Sequence, residues 1–343
     1  MNPKKITTML IVVGIVALLL FARTASLAAR RDALPGAGGT LWVTNKALNN
    51  VAVFDASDGE LLGVIPVGHE PIGVTAPHGS GKVYVSNEKD NTVSVIEKAS
   101  LSVVATIPTG PRPHHINQAP NGKFVYVAEF GGNTVGVINT ETDTLVAHFV
   151  TNPSPTARVH AVWVSADGQT LYVTNSGLNE IAALDALTGE PRWAMTVGAN
   201  PSEVLVTDDE QTAYVSVRNE NKVKVIDLGT RTITGEVFVG DQPDTLRLSP
   251  NGKTLVVTLR GTPARVAVVN VFKGLSAGWV SIAGATTGHH WLSANGHYSY
   301  VAVEGPGGVA VVDNRTLEVV RTFAYPAGGK PHGVFYEPSR LAR

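Results

Sequence analysis

The sequence predicts an all-β protein built as a closed ring of seven four-stranded blades. Two strand patterns each recur seven times, and successive copies start 42 to 46 residues apart. Tight-turn pairs such as Asn121-Gly122 and Asn251-Gly252 precede copies of the first pattern, as in β-hairpins. No window carries the 3.6-residue periodicity of a helix. Short strands at an even period of about 42 residues are typical of a β-propeller.

The two patterns alternate apolar and polar residues, as half-buried strands do. The first, the marker strand, reads LWVTN from 41, VYVSN from 83, VYVAE from 125, LYVTN from 171, AYVSV from 213, LVVTL from 255 and SYVAV from 299. The second reads NNVAVFD from 49, NTVSVIE from 91, NTVGVIN from 133, NEIAALD from 179, NKVKVID from 221, ARVAVVN from 264 and GGVAVVD from 307. Seven copies predict seven blades.

The two ends of the repeat region complement each other and predict how the ring closes. The first repeat starts at the strand 41–45 without an innermost strand, and an unpaired innermost strand, PHGVFYEP, follows the last repeat at 331–338. We expect these two strands to share one blade, because a closed ring leaves no open sheet edge. The propeller is therefore assigned to residues 40–338, with a tail at 339–343.

The first 28 residues have the pattern of an export signal. Lys4 and Lys5 precede an apolar run from Met9 to Phe21, and small residues lead to a cleavage position near Ala28. The run of about 13 residues is short for a membrane span, which needs roughly 20, but a start at Ile6 leaves an uncleaved anchor open. Both alternatives predict a periplasmic, cell-surface or secreted propeller behind a flexible tether at 29–39. Contact with a membrane is then expected only through this N-terminal segment.

Composition excludes several classes of function. The chain has no cysteine, so disulfides, cysteine-bound metal centres and a thiol nucleophile are ruled out. The net charge is −1 and the basic residues form no stripe, which argues against nucleic-acid binding. The sequence contains no serine-hydrolase elbow, zinc-protease motif, phosphate-binding loop or dinucleotide fingerprint.

Histidines concentrate at one place in the repeat. A Gly-x-x-Pro-x-x-Val element precedes the marker strand, and the three residues after its proline position hold six of the ten histidines. Composition alone would place about 0.6 histidines in these 21 positions. The six are His114, His115, His160, His289, His290 and His332. Glu203 and Asp244 occupy the same positions in two other repeats.

The repeats resemble those of the YVTN-repeat propeller family. VTN and VSN after Trp42 and Tyr84, the NTVSVI strand and the PNGK turns carry the resemblance, which covers nearly all of residues 40–338. The architecture is similar to the propeller domains of nitrous oxide reductase and haem d1 nitrite reductase, and to seven-bladed lactonases. The resemblance implies that the histidine-bearing element enters the innermost strand and lines one mouth of the central channel. Such a fold by itself implies no particular activity.

Neutral imidazoles that converge on one opening predict a transition-metal site, with copper ahead of zinc in intrinsic affinity. The predicted ligands are His114, His115, His160, His289 and His332, with His69, His290, Glu203 and Asp244 as additional candidates. Adjacent residues on a strand point to opposite faces. If His114 and His115 separate in this way, we expect His114, His160 and His332, which share one register, to bind together with His115 and His289 behind them. The propeller of nitrous oxide reductase holds a histidine-bound copper cluster. This chain lacks that enzyme's cysteine-containing electron-entry domain, which argues against multi-electron reduction.

Two other interpretations stay open. GPRPHHI, followed by a strand that ends in glutamate, is similar to the Gly-Pro-Arg-His element of seven-bladed lactonases and implies Arg112, Arg158 and Glu129 as catalytic candidates. Alternatively, the histidines belong to the repeat consensus and only cap turns. Trp291, beside His290, is the one tryptophan that the sequence places near the site.

The sequence thus predicts an exported binding module with a histidine-rich channel mouth. Its expected ligand is copper or zinc, or an unknown protein or small molecule. An extracytoplasmic hydrolase or oxidoreductase that uses the same mouth, and a metal-free protein-binding scaffold, are the alternatives.

Overall fold

The computed structural model describes residues 33–272, 275–305, 307–325 and 329–339. These residues form 28 β-strands and two short 3₁₀ turns, Ser176–Leu178 and Arg218–Glu220. The strands make seven four-stranded antiparallel sheets. The predicted all-β fold with seven blades is therefore confirmed.

Each blade runs from an innermost strand through two middle strands to an outermost strand. Blade 1 contains β1 (Gly39–Asn45), β2 (Asn50–Asp55), β3 (Leu61–Pro66) and an innermost strand from the C-terminus, given below. Blades 2 and 3 contain β4 (Pro71–Thr75), β5 (Lys82–Asn87), β6 (Thr92–Glu97) and β7 (Ser102–Pro108), then β8 (Pro113–Gln118), β9 (Phe124–Glu129), β10 (Thr134–Asn139) and β11 (Thr144–Val150).

The remaining four blades repeat this order. Blades 4 and 5 contain β12 (Val159–Val164), β13 (Thr170–Asn175), β14 (Glu180–Asp185) and β15 (Pro191–Thr196), then β16 (Pro201–Val206), β17 (Thr212–Val217), β18 (Lys222–Asp227) and β19 (Thr232–Phe238). Blades 6 and 7 contain β20 (Pro243–Leu248), β21 (Thr254–Leu259), β22 (Arg265–Asn270) and β23 (Ser276–Ser281), then β24 (Thr286–Leu292), β25 (Tyr298–Glu304), β26 (Gly308–Asp313) and β27 (Glu318–Ala324).

The C-terminal strand β28 (Pro331–Pro338) closes the ring as predicted. It pairs antiparallel with β1, which places Phe335 opposite Trp42 and Val334 opposite Val43. All four of these side chains are buried. Blade 1 is thus assembled from both ends of the repeat region, and its pairing leaves no sheet edge open at the junction.

The tyrosine of the marker strand has a structural role between blades. The hydroxyl of Tyr84 donates to Asp143 of the next blade at 2.6 Å, and the hydroxyl of Tyr126 donates to the carbonyl of Ala186 at 2.8 Å. The rings themselves are buried in the apolar layers between adjacent sheets. A large side chain with a polar tip suits this position, because it fills the layer and still satisfies its hydroxyl.

The innermost strands of neighbouring blades contact each other all the way round the ring, so the central channel is narrow. Gly333 shows how close the approach is: a Cβ atom built there would lie 2.1 Å from the carbonyl oxygen of Ile72. The side chains that reach the axis are therefore few and lie close together.

The described part of the predicted tether lies against the propeller. The amide of Leu34 donates to the carbonyl of Ser57 at 2.9 Å, and Ala37 is fully buried. The predicted signal segment 1–28 lies outside the described residues, as does the tail beyond Ser339. Across the described ranges, none of the helices has the length and hydropathy needed to cross a membrane.

Candidate functional site

A β-bulge at the start of each innermost strand decides where the histidines face. In blade 3, Pro113 pairs with Glu129 and Ile116 pairs with Val127, so His114 and His115 together stand opposite one residue. Strict alternation would send these two neighbours to opposite faces of the sheet. The bulge removes that constraint, and both rings lie within 6.3 Å of His289, measured between centroids.

The second residue after the proline position fills the middle of the channel. Large polar side chains stand in blades 3, 5 and 7, and smaller residues stand between them. Around the ring from blade 1 this position holds Gly333, Gly73, His115, Ala161, Glu203, Thr245 and His289. The alternation of large and small residues lets the three polar side chains meet across a narrow channel.

All five histidines predicted as ligands come together. The ring of His114 lies 4.4 Å from that of His160, 6.3 Å from His289 and 6.5 Å from His332. The His289 and His332 rings are 4.7 Å apart. The ring of His115 lies 5.8 Å from that of His289. These separations are well inside the limit of about 8 Å beyond which one metal ion cannot link the rings.

His160 is held by hydrogen bonds at both ring nitrogens. Its Nδ1 donates to the carbonyl of Ser202 at 2.7 Å, and its Nε2 accepts from Nη2 of Arg218 at 3.0 Å. Arg218 also pairs with the buried carboxylate of Asp244. Burial, reinforced by the positive charge of Arg218, lowers the pKa of His160 to about 3. This ring is neutral at neutral pH and has no nitrogen left for a metal.

His332 is oriented by a carboxylate. Its Nδ1 donates to Oε1 of Glu304 at 3.1 Å, which leaves Nε2 as the lone-pair atom. Burial lowers the pKa of His332 to about 4, although the bond to Glu304 opposes this. Arg260 bridges Glu304 and Asp244, at 3.5 Å from each. A carboxylate behind an imidazole is the usual way in which proteins orient a metal-binding histidine.

His115 belongs to a buried ion-pair group at mid-channel. Its Nε2 lies 3.0 Å from Oε1 of Glu203, and Nη1 of Arg247 donates to the same oxygen at 2.8 Å. Burial opposes ionisation of Glu203, but Arg247 and His115 hold its pKa at about 2. Glu203 is therefore a charged carboxylate that is already engaged by His115, by Arg247 and by the backbone amide of Leu246.

Three imidazole nitrogens of the cluster have no partner. Among the described residues, Nδ1 of His114, Nδ1 of His115 and Nε2 of His289 are shielded from solvent and make no hydrogen bond. Burial, with the neighbouring rings, holds the pKa of His114 and His289 well below the usual range. Each buried unpartnered nitrogen costs about 1–3 kcal/mol. These atoms are therefore the natural attachment points for an electron-pair acceptor.

The cluster does not hold three ligands in a finished metal geometry. No three His, Asp or Glu side chains in the described ranges are already placed around one point as metal ligands. The ring centroids of His114 and His289 are 6.3 Å apart and those of His115 and His289 are 5.8 Å apart. Both separations have the length that a linear two-coordinate ion requires, because metal–nitrogen bonds of about 2.0 Å set two opposed imidazole centroids about 6 Å apart. The expected grouping of His114, His160 and His332 does not match the free nitrogens, because both ring nitrogens of His160 are hydrogen-bonded.

The outlying candidates occupy other places. His69 is exposed and its Nδ1 lies 2.8 Å from Asp90 on the rim. His290 is buried behind the channel wall, where its Nδ1 bonds the hydroxyl of Thr245 at 2.9 Å. Glu203 and Asp244 lie in the cluster, but as partners of arginines. Trp291 lies at the other end of the channel, between the ring of Phe335 at 4.7 Å and the guanidinium of Arg247 at 4.4 Å.

The three catalytic candidates separate into two places. The guanidiniums of Arg112 and Arg158 lie 4.9 and 4.6 Å from the ring centre of Phe130, which contacts the His114 and His160 rings. Glu129 is fully buried, and its carboxylate accepts from the amide of Gly110 at 2.7 Å and from the hydroxyl of Thr134 at 2.5 Å. It also bonds His148, on the outermost strand of the blade. Glu129 thus stabilises its blade and does not face the five clustered histidines.

Sequence reasoning missed the charged residues that surround the histidines. Arg218, Arg260 and Glu304 each stand directly after the marker strand, and Phe130 has the same position in blade 3. Lys46, Glu88 and Ser176 complete this set around the ring. A comparison of this one position across the seven repeats would have found them, because the repeat brings equivalent residues to the same mouth.

The sequence matches the YNCE-like beta-propeller family over residues 41–336. The chain belongs to this family. The predicted resemblance to a seven-bladed propeller family is thereby confirmed. No curated protein matches the chain significantly.

Solved structures share the fold at low sequence identity. A hydrazine synthase chain of Kuenenia stuttgartiensis is 20% identical with a TM-score of 0.71, over 81% of this chain and 93% of that one. A Bacteroides fragilis protein provisionally assigned as a 6-phosphogluconolactonase is 18% identical with a TM-score of 0.72, over 88% and 98%. The dihydro-heme d1 dehydrogenase NirN is 16% identical with a TM-score of 0.60, over 89% and 76%. Identities this low show the fold alone.

Proposed function

We propose that this YNCE-like propeller is an exported binding module that holds one copper ion in its channel between His114 and His289. The observation that carries the proposal is that His114 and His289 each have a shielded, unpartnered ring nitrogen and that their ring centroids are 6.3 Å apart. Two further rings are within reach of His289: His115, whose unpartnered Nδ1 is on a ring 5.8 Å away, and His332, whose Nε2 is the lone-pair atom and whose ring is 4.7 Å away.

The protonation states favour a metal. A metal ion needs neutral imidazoles, and burial keeps the pKa values of His114, His289 and His332 below the usual range. Each of the unpartnered nitrogens is a lone-pair donor in the tautomer that carries its proton on the opposite nitrogen. In that tautomer the ring does not have to lose a proton or break a hydrogen bond at that nitrogen to bind.

The charges around the cluster are compatible with a bound cation. Arg218 and Arg260 both pair with Asp244, and Arg260 also reaches Glu304. The two carboxylates thus offset the two arginines on this side of the cluster. Burial opposes the ionisation of Asp244, but Arg218 and Arg260 hold its pKa well below the usual range. The negative charge that offsets these arginines is therefore present at neutral pH.

Copper fits better than zinc. Imidazole sites bind copper(II) more tightly than zinc along the divalent series, and copper(I) accepts linear two-coordination. Zinc is almost always four-coordinate in structural sites. No three side chains of the described chain stand ready around one point, so zinc requires a larger rearrangement than copper(I) does.

A binding role fits this site better than hydrolysis. Glu129 is the acid expected for a lactonase-like reaction, but its carboxylate already accepts hydrogen bonds within its own blade. Arg112 pairs with Glu88 at the rim rather than facing the histidines. Export of the chain is proposed from the Lys4 to Ala28 pattern.

Metal titration of the purified full-length chain tests the proposal. The chain is stripped with a chelator, titrated anaerobically with copper(I) and separately with zinc(II), and the bound metal is measured by mass spectrometry. We expect one equivalent of copper, lost in His114→Ala and in His289→Ala. His69→Ala, which removes an exposed histidine of the same protein, should keep it. No copper in the wild type, or full copper in both cluster variants, would overturn the proposal.

A further inference from the structure

The channel has a second opening, at the end opposite the histidine cluster. There a cavity of about 720 Å³ lies between the ends of the innermost strands and the following turns, from blade 4 through blade 7 to blade 1. This volume is in the range of about 300–1,000 Å³ that is usual for small-molecule sites. None of the residues assigned above to copper lines the cavity.

The walls of this cavity are largely apolar and aromatic. They include Trp163, Leu205, Leu248, Trp291, Leu292 and Tyr336. Trp291 already contacts the ring of Phe335 at 4.7 Å and the guanidinium of Arg247 at 4.4 Å. Trp163 is half-buried and packs at the edge of two core clusters. An aromatic ligand would gain most from contact with Trp163.

The buried Nε of Arg247 is a hydrogen-bond donor that indicates which kind of ligand oxygen the cavity can accept. Arg247 lines the cavity and is 8% exposed, and its Nε is shielded without a partner among the described residues. Its Nη1 is engaged by Glu203 at 2.8 Å, which cancels the charge of the guanidinium. The site therefore offers an unsatisfied donor but no net positive charge. A carbonyl or hydroxyl oxygen satisfies Nε without bringing an uncompensated charge into the cavity.

The rim of the cavity carries acids. Asp208 and Asp209 stand in the turn after β16 and line the opening. The carboxylate of Asp209 is occupied by the Thr207 hydroxyl and the Gln211 amide at 2.6 and 3.1 Å. Asp208 is exposed at the opening. Both carboxylates repel an anionic ligand.

We propose that this cavity binds an uncharged aromatic ring compound with an oxygen substituent. The ring lies against Trp163 and the leucines, and the oxygen accepts from Nε of Arg247. A phenol or quinone of one or two fused rings has this chemistry and fits the volume. The inference rests on the cavity alone and is independent of copper.

The test uses the metal-free full-length protein and three probes: 2-naphthol, the ionised 2-naphthoate, and maltose. Binding is followed by calorimetry and by quenching of tryptophan fluorescence. We expect saturable binding of 2-naphthol and weaker binding of 2-naphthoate. Trp163→Ala should weaken 2-naphthol binding about tenfold, whereas Trp193→Ala, a half-buried tryptophan outside this cavity, should not change it.

A variant at the exposed rim keeps the test valid if Trp163→Ala folds poorly. Asp208→Asn should leave 2-naphthol binding unchanged and bring 2-naphthoate closer to it. Preference for 2-naphthoate over 2-naphthol in the wild type would overturn the inference. So would binding of maltose alone, no binding of any probe, or an equal effect of the two tryptophan substitutions.

Discussion

Arg218 occupies Nε2 of His160, because Nη2 of Arg218 lies 3.0 Å from that nitrogen and donates to it. The opposite nitrogen of the same ring donates to Ser202. His160 nevertheless packs 4.4 Å from His114, so it positions a proposed copper ligand without binding the ion. The arrangement makes Arg218 the residue that limits how many imidazoles can reach the proposed copper ion.

Replacing Arg218 with methionine should strengthen copper binding. The substitution frees Nε2 of His160 and removes a positive charge from the cluster, so we expect about a tenfold gain in affinity and one more nitrogen around copper. X-ray absorption of the loaded protein measures the second effect. Arg192→Met, which removes an arginine paired with Asp185 on the outside, is the control.

The same variant should lose stability. Asp244 would keep only Arg260 as its ion-pair partner, at 3.5 Å, in a fully buried place. Breaking one side of a buried ion pair costs about 3–5 kcal/mol. Urea unfolding measures this loss. A folded Arg218→Met protein that binds copper more weakly than the wild type would show that Arg218 helps the metal rather than restricting it.

The fold was predictable because equivalent residues of a repeat occupy equivalent places around the ring. The spacing of the marker strands places His114, His160 and His332 in equivalent positions of a ring, so residues some 45 apart become neighbours. The closure by β28 followed from the missing innermost strand of the first repeat. Both inferences need only the period and the strand pattern, which are local properties of the sequence.

The state of each imidazole was not predictable in the same way. Whether a ring nitrogen is free depends on partners from other blades, such as Arg218 for His160 and Glu304 for His332. The register alone therefore favoured His160 as a ligand and placed His289 behind it. A β-bulge turns both His114 and His115 into the channel. The bulge is a backbone feature, and the pattern of apolar and polar residues does not predict it.

Acid should destabilise the metal-free protein before its carboxylates titrate. The pKa values of His160 and His332 are lowered to about 3 and 4 in the fold, against about 6.5 in the unfolded chain. The unfolded state therefore binds more protons below pH 6.5, and stability falls as the pH drops from about 6.5 to about 4. The contribution of His332 is on the order of 3 kcal/mol.

Urea unfolding at pH 7 and pH 4.5 measures this dependence. His332→Gln should flatten it, because the variant has one proton fewer to take up on unfolding. His69→Gln, at an exposed histidine, should keep the slope of the wild type. Equal slopes in wild type and His332→Gln would mean that His332 is not held neutral in the fold.

The N-terminal segment is expected to direct the chain out of the cytoplasm. If it is cleaved, the mature protein should start close to residue 29. If it is retained, the intact chain should stay in the membrane fraction through this segment. Fractionation of a native source with N-terminal sequencing separates the two outcomes. Full-length protein in the cytosol would contradict both.

Removal of the closing strand should abolish cooperative unfolding. β28 supplies the innermost strand of blade 1, and it buries Phe335 and Val334 against the neighbours of β1. Deleting residues 331–343 would expose the edge of β1 and uncover Trp42, which is 2% exposed in the closed ring. An open strand edge also invites pairing between chains. We therefore expect a broad unfolding transition at low temperature, measured by circular dichroism, and aggregation, measured by light scattering.

A chain shortened only by residues 340–343 is the control and should melt like the full-length protein. A sharp transition at the full-length temperature after deletion of 331–343 would mean that six blades and three strands suffice for the fold.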